Sequence, residues 1–205
     1  MGIEKEAAAA LAHEVKNPLT LIKMNVEHIK RSLNEEFEDN FKVIEREICR
    51  INMIVTGLSF NRRPVYLKRL IDGIIGEYDI SLKDKNVKFN ICGDESVFAM
   101  GDTEKLNILF FNLIKNSVEA IESDGEINIK ITARNGDVLT EIEDSGGGID
   151  PAVMEKIGQP YNTDKEGGTG LGLAICTSIV NEHKGSIEFE NTDKGAKVSI
   201  KLSAA

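Results

Sequence analysis

The 205 residues carry 25 Lys+Arg against 34 Asp+Glu, a formal net charge of -9, and 41% of them are hydrophobic. That apolar share suffices for the core of one ordinary domain plus a smaller one, and the acidic balance excludes the net basic face that nucleic-acid binding requires. Cys49, Cys92 and Cys176 stand far apart with no C-x-x-C pair, which excludes a disulfide framework and a zinc site and fits a reducing cytosol.

Residues 4 to 34 have helical composition, and Leu11, Val15, Leu19, Ile22, Val26, Ile29 and Leu33 recur every three or four positions, giving one apolar face. After the polar run Asn34 to Asn40, a second stripe of Phe41, Ile44, Ile48, Ile51, Val55 and Leu58 alternates three and four apart. The pattern predicts an antiparallel helical hairpin. A lone hairpin buries a single seam, so two of them paired as a four-helix bundle cover the stripes better, and a homodimer is expected. The alternative is a hairpin packed on its own second domain. Asn61-Arg62-Arg63-Pro64 breaks the periodicity and supplies a proline that opposes helix continuation, which divides the chain into a hairpin domain, 1–63, and a second domain, 64–205.

In that second domain the pattern predicts a helix over about Leu67 to Leu82, strands near Val87 to Cys92 and Ser96 to Met100, and a long helix over about Thr103 to Ile121. Strands over Glu126 to Ala133 and Asp137 to Glu143 follow, joined through Asn135-Gly136, a strong two-residue turn signal. A helix from about Gly170 to His183 and strands over Ser186 to Glu190 and Lys197 to Leu202 complete the order. The fold class expected is α+β, the hairpin followed by a two-layer α/β sandwich with a mixed sheet.

Three constellations carry chemistry. His13 lies roughly opposite the apolar stripe of its helix, with Asn17 and Thr20 on the same outward face. An imidazole with its ordinary pKa of about 6.5 is mostly neutral at cellular pH, the form that attacks phosphorus. Glu14 could accept the other ring N–H and raise the basicity of the attacking nitrogen. Pro18 is expected to bend the helix beside it, the alternative being a tolerated irregularity. Second, Asn112 and Asn116, at i and i+4, project from the flank of a helix whose buried face is Leu106, Leu109, Phe110, Leu113 and Ile121. Two amide oxygens in line can hold a hard, water-carrying cation such as Mg²⁺ when phosphates supply the remaining ligands.

Third, Asp144-Ser145-Gly146-Gly147-Gly148-Ile149 follows a strand, and Gly167-Gly168-Thr169-Gly170-Leu171-Gly172-Leu173 runs into a helix. Glycines let backbone approach a ligand, and a helix N-terminus offers free N–H groups to phosphate. Between the two clusters, Asp150 to Glu166 has little periodicity and reads as a mobile lid. Neither the G-x-x-x-x-G-K-[ST] loop nor a G-x-G-x-x-G after a first strand is present.

Ala12-His13-Glu14-Val15-Lys16-Asn17-Pro18-Leu19-Thr20 resembles the phosphoacceptor box of sensor histidine kinases. Asn112-Leu113-Ile114-Lys115-Asn116-Ser117 resembles their asparagine box, Asp144 to Ile149 their first glycine box, and Gly168 to Leu173 their second. The resemblance implies an ATP-dependent kinase that phosphorylates His13 and passes the group to an aspartate of a response-regulator receiver, and dephosphorylates that receiver as well. It implies that Asp144 accepts a hydrogen bond from the adenine amino group. Asn116 with Asn112 would hold Mg²⁺, and Gly168, Gly170 and Gly172 would shape the hinge of the lid. Lys115, Gly146, Gly148, Thr169 and Leu171 would line the nucleotide, and Lys165 would meet a phosphate. Glu14-x-x-Asn17 resembles the pattern tied to phosphatase activity, with Asn17 orienting a water.

The segment Gln159 to Lys165 departs from the family pattern, with Tyr161 and Asn162 where a phenylalanine pair is common. ATP and Mg²⁺ are the expected cofactors, and the receiver and a second copy of the chain the expected partners. No run approaches the roughly 18 apolar residues of a membrane span, so we expect no membrane contact within this sequence and a cytoplasmic place, alone or as the cytosolic part of a larger sensor. The rivals are a hydrolytic ATPase module of the gyrase and heat-shock-chaperone kind, and a dimerisation scaffold that has lost catalysis.

Overall fold

The computed structural model describes Leu19, Ile22, Val26, Ile44, Ile51 and residues 60–79, 85–94, 96–158 and 172–205. The chain divides into two compact units, the second of which spans Asn61–Gln159 and Gly172–Ala205. In the first unit Leu19, Ile22, Val26, Ile44 and Ile51 are all helical; Leu19 and Val26 are buried, whereas Ile22, Ile44 and Ile51 are exposed. The rest of the expected hairpin, with its turn, lies outside the described residues.

In the second unit the elements run β1 (Arg63–Tyr66), α1 (Leu67–Asp79), β2 (Asn86–Gly93), β3 (Phe98–Gly101), α2 (Thr103–Ala120), β4 (Asp124–Arg134), β5 (Asp137–Asp144), α3 (Pro151–Met154), α4 (Gly172–Glu182), β6 (Ser186–Asn191) and β7 (Ala196–Ser203). Five strands form one sheet in the order β2-β4-β5-β7-β6. Only β2 and β4 are parallel, the pair joined through β3 and α2; the other neighbours are antiparallel, so the sheet is mixed as the sequence pattern leads one to expect.

Strict alternation sets the faces. Ile127, Ile129 and Ile131 on β4, Val138 and Ile142 on β5, and Ile200 and Leu202 on β7 are all buried, while their neighbours point to the other face. The helical layer covers the buried side, with α2 against α4, α1 and β5. Leu106, Leu109, Phe110, Leu113 and Ile121 are buried, which is the apolar face that the 3.6-residue period marks out; each contributes about 1.5–3 kcal/mol relative to exposure. Asp102 starts α2 as its N-cap, accepting from the backbone N–H groups of Glu104 and Lys105. At the β4–β5 turn, Asn135 (φ 55°) and Gly136 (φ 82°) both adopt the left-handed conformation that a two-residue hairpin turn demands.

Three local features differ from the sequence reading. Arg63–Tyr66, read only as an interruption, is a strand paired with β3 in a separate two-stranded ribbon. Four residues carry no periodic signal, and Pro64 is tolerated because an edge strand leaves one side without ladder bonds. β3 begins at Phe98 rather than Ser96, because Asp94 Oδ1 accepts from the Ser96 backbone N–H (2.8 Å) and hydroxyl (2.7 Å) and turns the chain there. Those two bonds hold the Asp94 carboxyl below the usual range. Within the expected lid, residues 151–154 form a single helical turn begun by Asp150 Oδ1 accepting from the Ala152 N–H, with proline in the first turn. Residues 159–171, the rest of that stretch and the start of the second glycine cluster, lie outside the described residues.

Candidate functional site

The site is organised by two antiparallel helices. Lys105, near the start of α2, pairs with Glu182 at the end of α4, and Asn112, midway along α2, faces Gly172 at the start of α4. A Cβ on Gly172 would lie 3.4 Å from Asn112 Oδ1. Between these points Cys176 is buried with Sγ 3.7 Å from the Leu109 carbonyl, and burial pushes its thiol up to about 12, so it is a packing group and not a nucleophile.

Asn112 donates Nδ2 to the Ile108 carbonyl one turn back (2.8 Å), which leaves Oδ1 directed at α4. One turn on, Asn116 is half-buried. One more turn on, Ala120 meets the first glycine cluster: a Cβ on Gly146 would stand 2.8 Å from both Cβ and the carbonyl oxygen of Ala120. Close approach, not φ, is what requires glycine there. Asn112, Asn116 and Ala120 therefore form one i, i+4, i+8 row about 12 Å long, bounded by Gly172 at one end and Gly146 at the other, with Asn116 between them. Lys85 neutralises the C-terminal end of this helix by donating Nζ to the carbonyls of Ile121 (2.6 Å) and Val118 (3.3 Å).

Asp144 closes β5 with a buried carboxylate. Its Oδ1 accepts from the backbone N–H groups of Gly146 (3.0 Å) and Ala196 (3.2 Å), and Oδ2 has no hydrogen-bond partner among the described residues. Gly148 has φ +80° and passes Asn191, whose Oδ1 would lie 3.0 Å from an added Cβ. Asn191 in turn grips the next residue, accepting from the Ile149 N–H at Oδ1 (2.7 Å) and donating Nδ2 to the Ile149 carbonyl (2.9 Å).

Of the residues singled out in the sequence, Asn112 and Asn116 thus lie on one row of α2 that Gly172 and Gly146 border, while Asp144 holds Gly146 through its N–H and Gly148 packs on Asn191. Lys115 is exposed and forms a 3.6 Å ion pair with Glu119. His13, Glu14, Asn17, Lys165, Gly168, Thr169, Gly170 and Leu171 lie outside the described residues. Asn191 and Lys85 had no local sequence signal, because each acts on a segment more than thirty residues away. An open groove of about 320 Å³ lined by Arg69, Leu70, Gly73, Ile74, Thr103, Glu104 and Asn107 shares no residue with the row.

At the opposite end of α2, His183 is a buried histidine of another kind. Its Nδ1 bonds the Ile179 carbonyl (2.7 Å) and its Nε2 accepts from the Asp102 N–H (3.0 Å), so both ring nitrogens are taken. Burial moves its pKa down, against the upward pull of the Ile179 carbonyl and of Asp102.

Residues 101–205 match the family model described as histidine kinase-, DNA gyrase B-, and HSP90-like ATPase. Residues 3–63 match the His Kinase A (phospho-acceptor) domain. The chain is 32% identical over 210 residues to sporulation kinase A of Bacillus subtilis (strain 168), covering 98% of this chain and 34% of that protein. It is 33% identical over 216 residues to sporulation kinase B of the same organism, covering 100% of this chain and 50% of that protein. The chain thus spans half or less of the length of these relatives. Among solved structures, that of histidine kinase ThkA in complex with response regulator protein TrrA aligns with a TM-score of 0.64 and 25% identity, covering 100% of this chain and 63% of that one.

Proposed function

The chain belongs to the sensor histidine kinases, and from that membership we propose that it uses ATP to phosphorylate its own His13 and then passes the phosphoryl group to an aspartate of a response-regulator receiver. The observation that carries this reading is the single row Asn112–Asn116–Ala120 bordered by both glycine clusters, next to a buried carboxylate that keeps one oxygen open.

The donors suit the ligands. Asp144 Oδ2 offers an acceptor to the adenine amino group while Oδ1 is spent on the protein's own N–H groups. The Gly146 and Gly148 backbone has no side chain to obstruct the nucleotide. Asn116 and Asn112 would hold Mg²⁺ through hard amide oxygens, a donor type that suits a cation shared with phosphate and water. When bound, Mg²⁺ supplies charge neutralisation at the phosphate oxygens. Lys115, Thr169 and Leu171 complete the nucleotide lining, Lys165 meets a phosphate, and Gly168, Gly170 and Gly172 form the hinge of the segment that covers it.

In the chemical step a ring nitrogen of His13 bonds to the γ phosphorus as the bond from that phosphorus to the bridging oxygen breaks and ADP leaves. Glu14 accepts the other ring N–H and so holds the tautomer. In transfer, the nitrogen–phosphorus bond breaks as a receiver carboxylate oxygen takes the phosphorus. Asn17, one turn from His13, orients the water that hydrolyses the resulting aspartyl phosphate. The ThkA complex with TrrA supports a receiver as partner.

The division into 1–63 and 64–205 and a cytoplasmic location belong to the same reading. No helix among the described residues is long and apolar enough to cross a membrane. A homodimer is proposed because Ile22, Ile44 and Ile51 are exposed on helices at 48%, 40% and 37%, apolar surface that a second hairpin would bury. The hydrolytic alternative lacks a base at position 112: the Asn112 amide has no basic oxygen, and its nitrogen is already bonded to Ile108.

Incubation with γ-labelled Mg-ATP is expected to give a base-stable, acid-labile label that His13→Gln abolishes and that moves to a receiver when a panel of receivers is added. Acid-stable label, or label retained by the variant, rejects His13. Asn17→Ala is expected to keep the label and its transfer but to slow decay of purified phospho-receiver; equal decay rates would remove Asn17 from the reaction.

A further inference from the structure

The turn between β6 and β7 touches the first glycine cluster at both ends, although it is separated from that cluster by about forty residues of chain. At the entry, the Ala196 N–H donates to Asp144 Oδ1 (3.2 Å), and Gly195 packs so closely that an added Cβ would lie 2.5 Å from the Asp144 carbonyl oxygen. At the exit, the Asn191 carboxamide holds both backbone polar groups of Ile149, at 2.7 and 2.9 Å. A side-chain amide used this way replaces a strand partner, since one group donates and accepts across the same residue.

The turn itself is braced. The Thr192 N–H donates to the Gly195 carbonyl (2.8 Å), and Thr192 Oγ1 accepts from the N–H groups of Lys194 (3.2 Å) and Gly195 (3.3 Å). Asn191 and Ala196 are also a ladder pair of the sheet. A rigid hairpin end thus fixes both limits of a run of glycines that has little conformational preference of its own. Gly147, in the middle, has nothing within 4 Å of an added Cβ, so the run is held at its ends and open at its centre.

We propose that Asn191 is a positioning residue for nucleotide binding: by clamping Ile149 it fixes the exit of the glycine run 146–148 and so holds that run in the shape that receives ATP. The inference rests on the reading of this site as the ATP site. Asn191 itself need not touch the nucleotide.

Two variants grade the clamp. Asn191→Ala removes both bonds, whereas Asn191→Asp keeps the acceptor for the Ile149 N–H but sets a carboxylate oxygen against the Ile149 carbonyl. Both should raise KM for ATP in autophosphorylation of the full chain, by roughly three- to tenfold, with kcat at saturating ATP unchanged and faster hydrogen exchange at the Ile149 amide. A merely structural role would act differently, lowering kcat through a loss of folded protein and leaving KM alone. An unchanged KM in both variants, or a fall in kcat alone, would overturn the proposal. Asp144→Asn, run alongside, separates the two levels of the argument. If Asp144→Asn weakens ATP binding and the Asn191 variants match wild type, only the clamp fails. If wild type binds no Mg-ATP by calorimetry, the site reading fails and the clamp with it.

Discussion

The two halves of helix α2 carry polar clusters of opposite character. At its start, Asp102, Lys105, Glu182 and His183 close on one another: Asp102 Oδ1 accepts from Glu104 and Lys105, its Oδ2 accepts from the Asn61 N–H (2.7 Å), Lys105 pairs with Glu182, and both His183 ring nitrogens are bonded. From its middle onward, Asn112 and Asp144 each spend part of their hydrogen-bonding capacity on the protein and keep an oxygen open, with the half-buried Asn116 on the same helical row as Asn112. Burial and polarity alone do not mark a ligand site; open hydrogen-bonding capacity beside backbone stripped of side chains does. The closed cluster secures the fold, because leaving any member unpaired costs the full desolvation of that group.

The largest effect that would break this contrast is expected from Asp144→Asn. The amide oxygen can keep the bonds to Gly146 and Ala196, but a donor then faces the adenine amino group, and ATP affinity should fall ten- to a hundredfold, about 1.5–3 kcal/mol, with the melting temperature little changed. Calorimetry showing wild-type affinity would place the nucleotide elsewhere. Lys105→Met should do the converse. It strands Glu182 beside a buried apolar chain and should cost about 1–2 kcal/mol in denaturant unfolding, discounted because Glu182 is partly in water, while ATP affinity of the folded protein holds.

Thr140 is the exception that sharpens the comparison. Its Oγ1 is buried on β5 with no partner among the described residues. Thr140→Val keeps the shape and removes the stranded hydroxyl, and should raise stability by about 1 kcal/mol in the same unfolding experiment; a loss would point to a water bound at that hydroxyl. The smallest effect concerns pH. Because burial holds the folded pKa of His183 below its ordinary value, the unfolded chain binds the proton more readily. The contribution of His183 is therefore fully present above about pH 6.5 and is lost as pH falls from there toward the folded pKa. His183→Gln should flatten the dependence of melting temperature on pH between 7 and 5.5; an unchanged slope would assign it to other groups.

Much of this architecture was legible in the sequence where the pattern is long and local. The buried face of α2, the alternation of β4, β5 and β7, and the Asn135-Gly136 turn follow from periodicity and from turn chemistry. The asparagine pair and the glycine clusters were legible as residue types at fixed spacing, although that spacing does not reveal that Gly146 and Gly172 border one helical row. What escaped was short or distant. β1 has four residues and a proline, α3 is a single turn, and the Asn191 clamp and the Lys85 cap join segments far apart in the chain. Lys105 and His183 resemble surface residues because nothing local states that another helix will cover them.

The most direct test follows backbone amide signals of the full chain as Mg-ATP is added. Saturable shifts should concentrate at Asp144 to Ile149, at Asn112 and Asn116, and at Gly172, leaving Asp102, Lys105 and His183 near their starting positions. Shifts centred instead on the Asp102–His183 cluster, or none at millimolar Mg-ATP, would contradict the assignment of the open end of α2 as the nucleotide site.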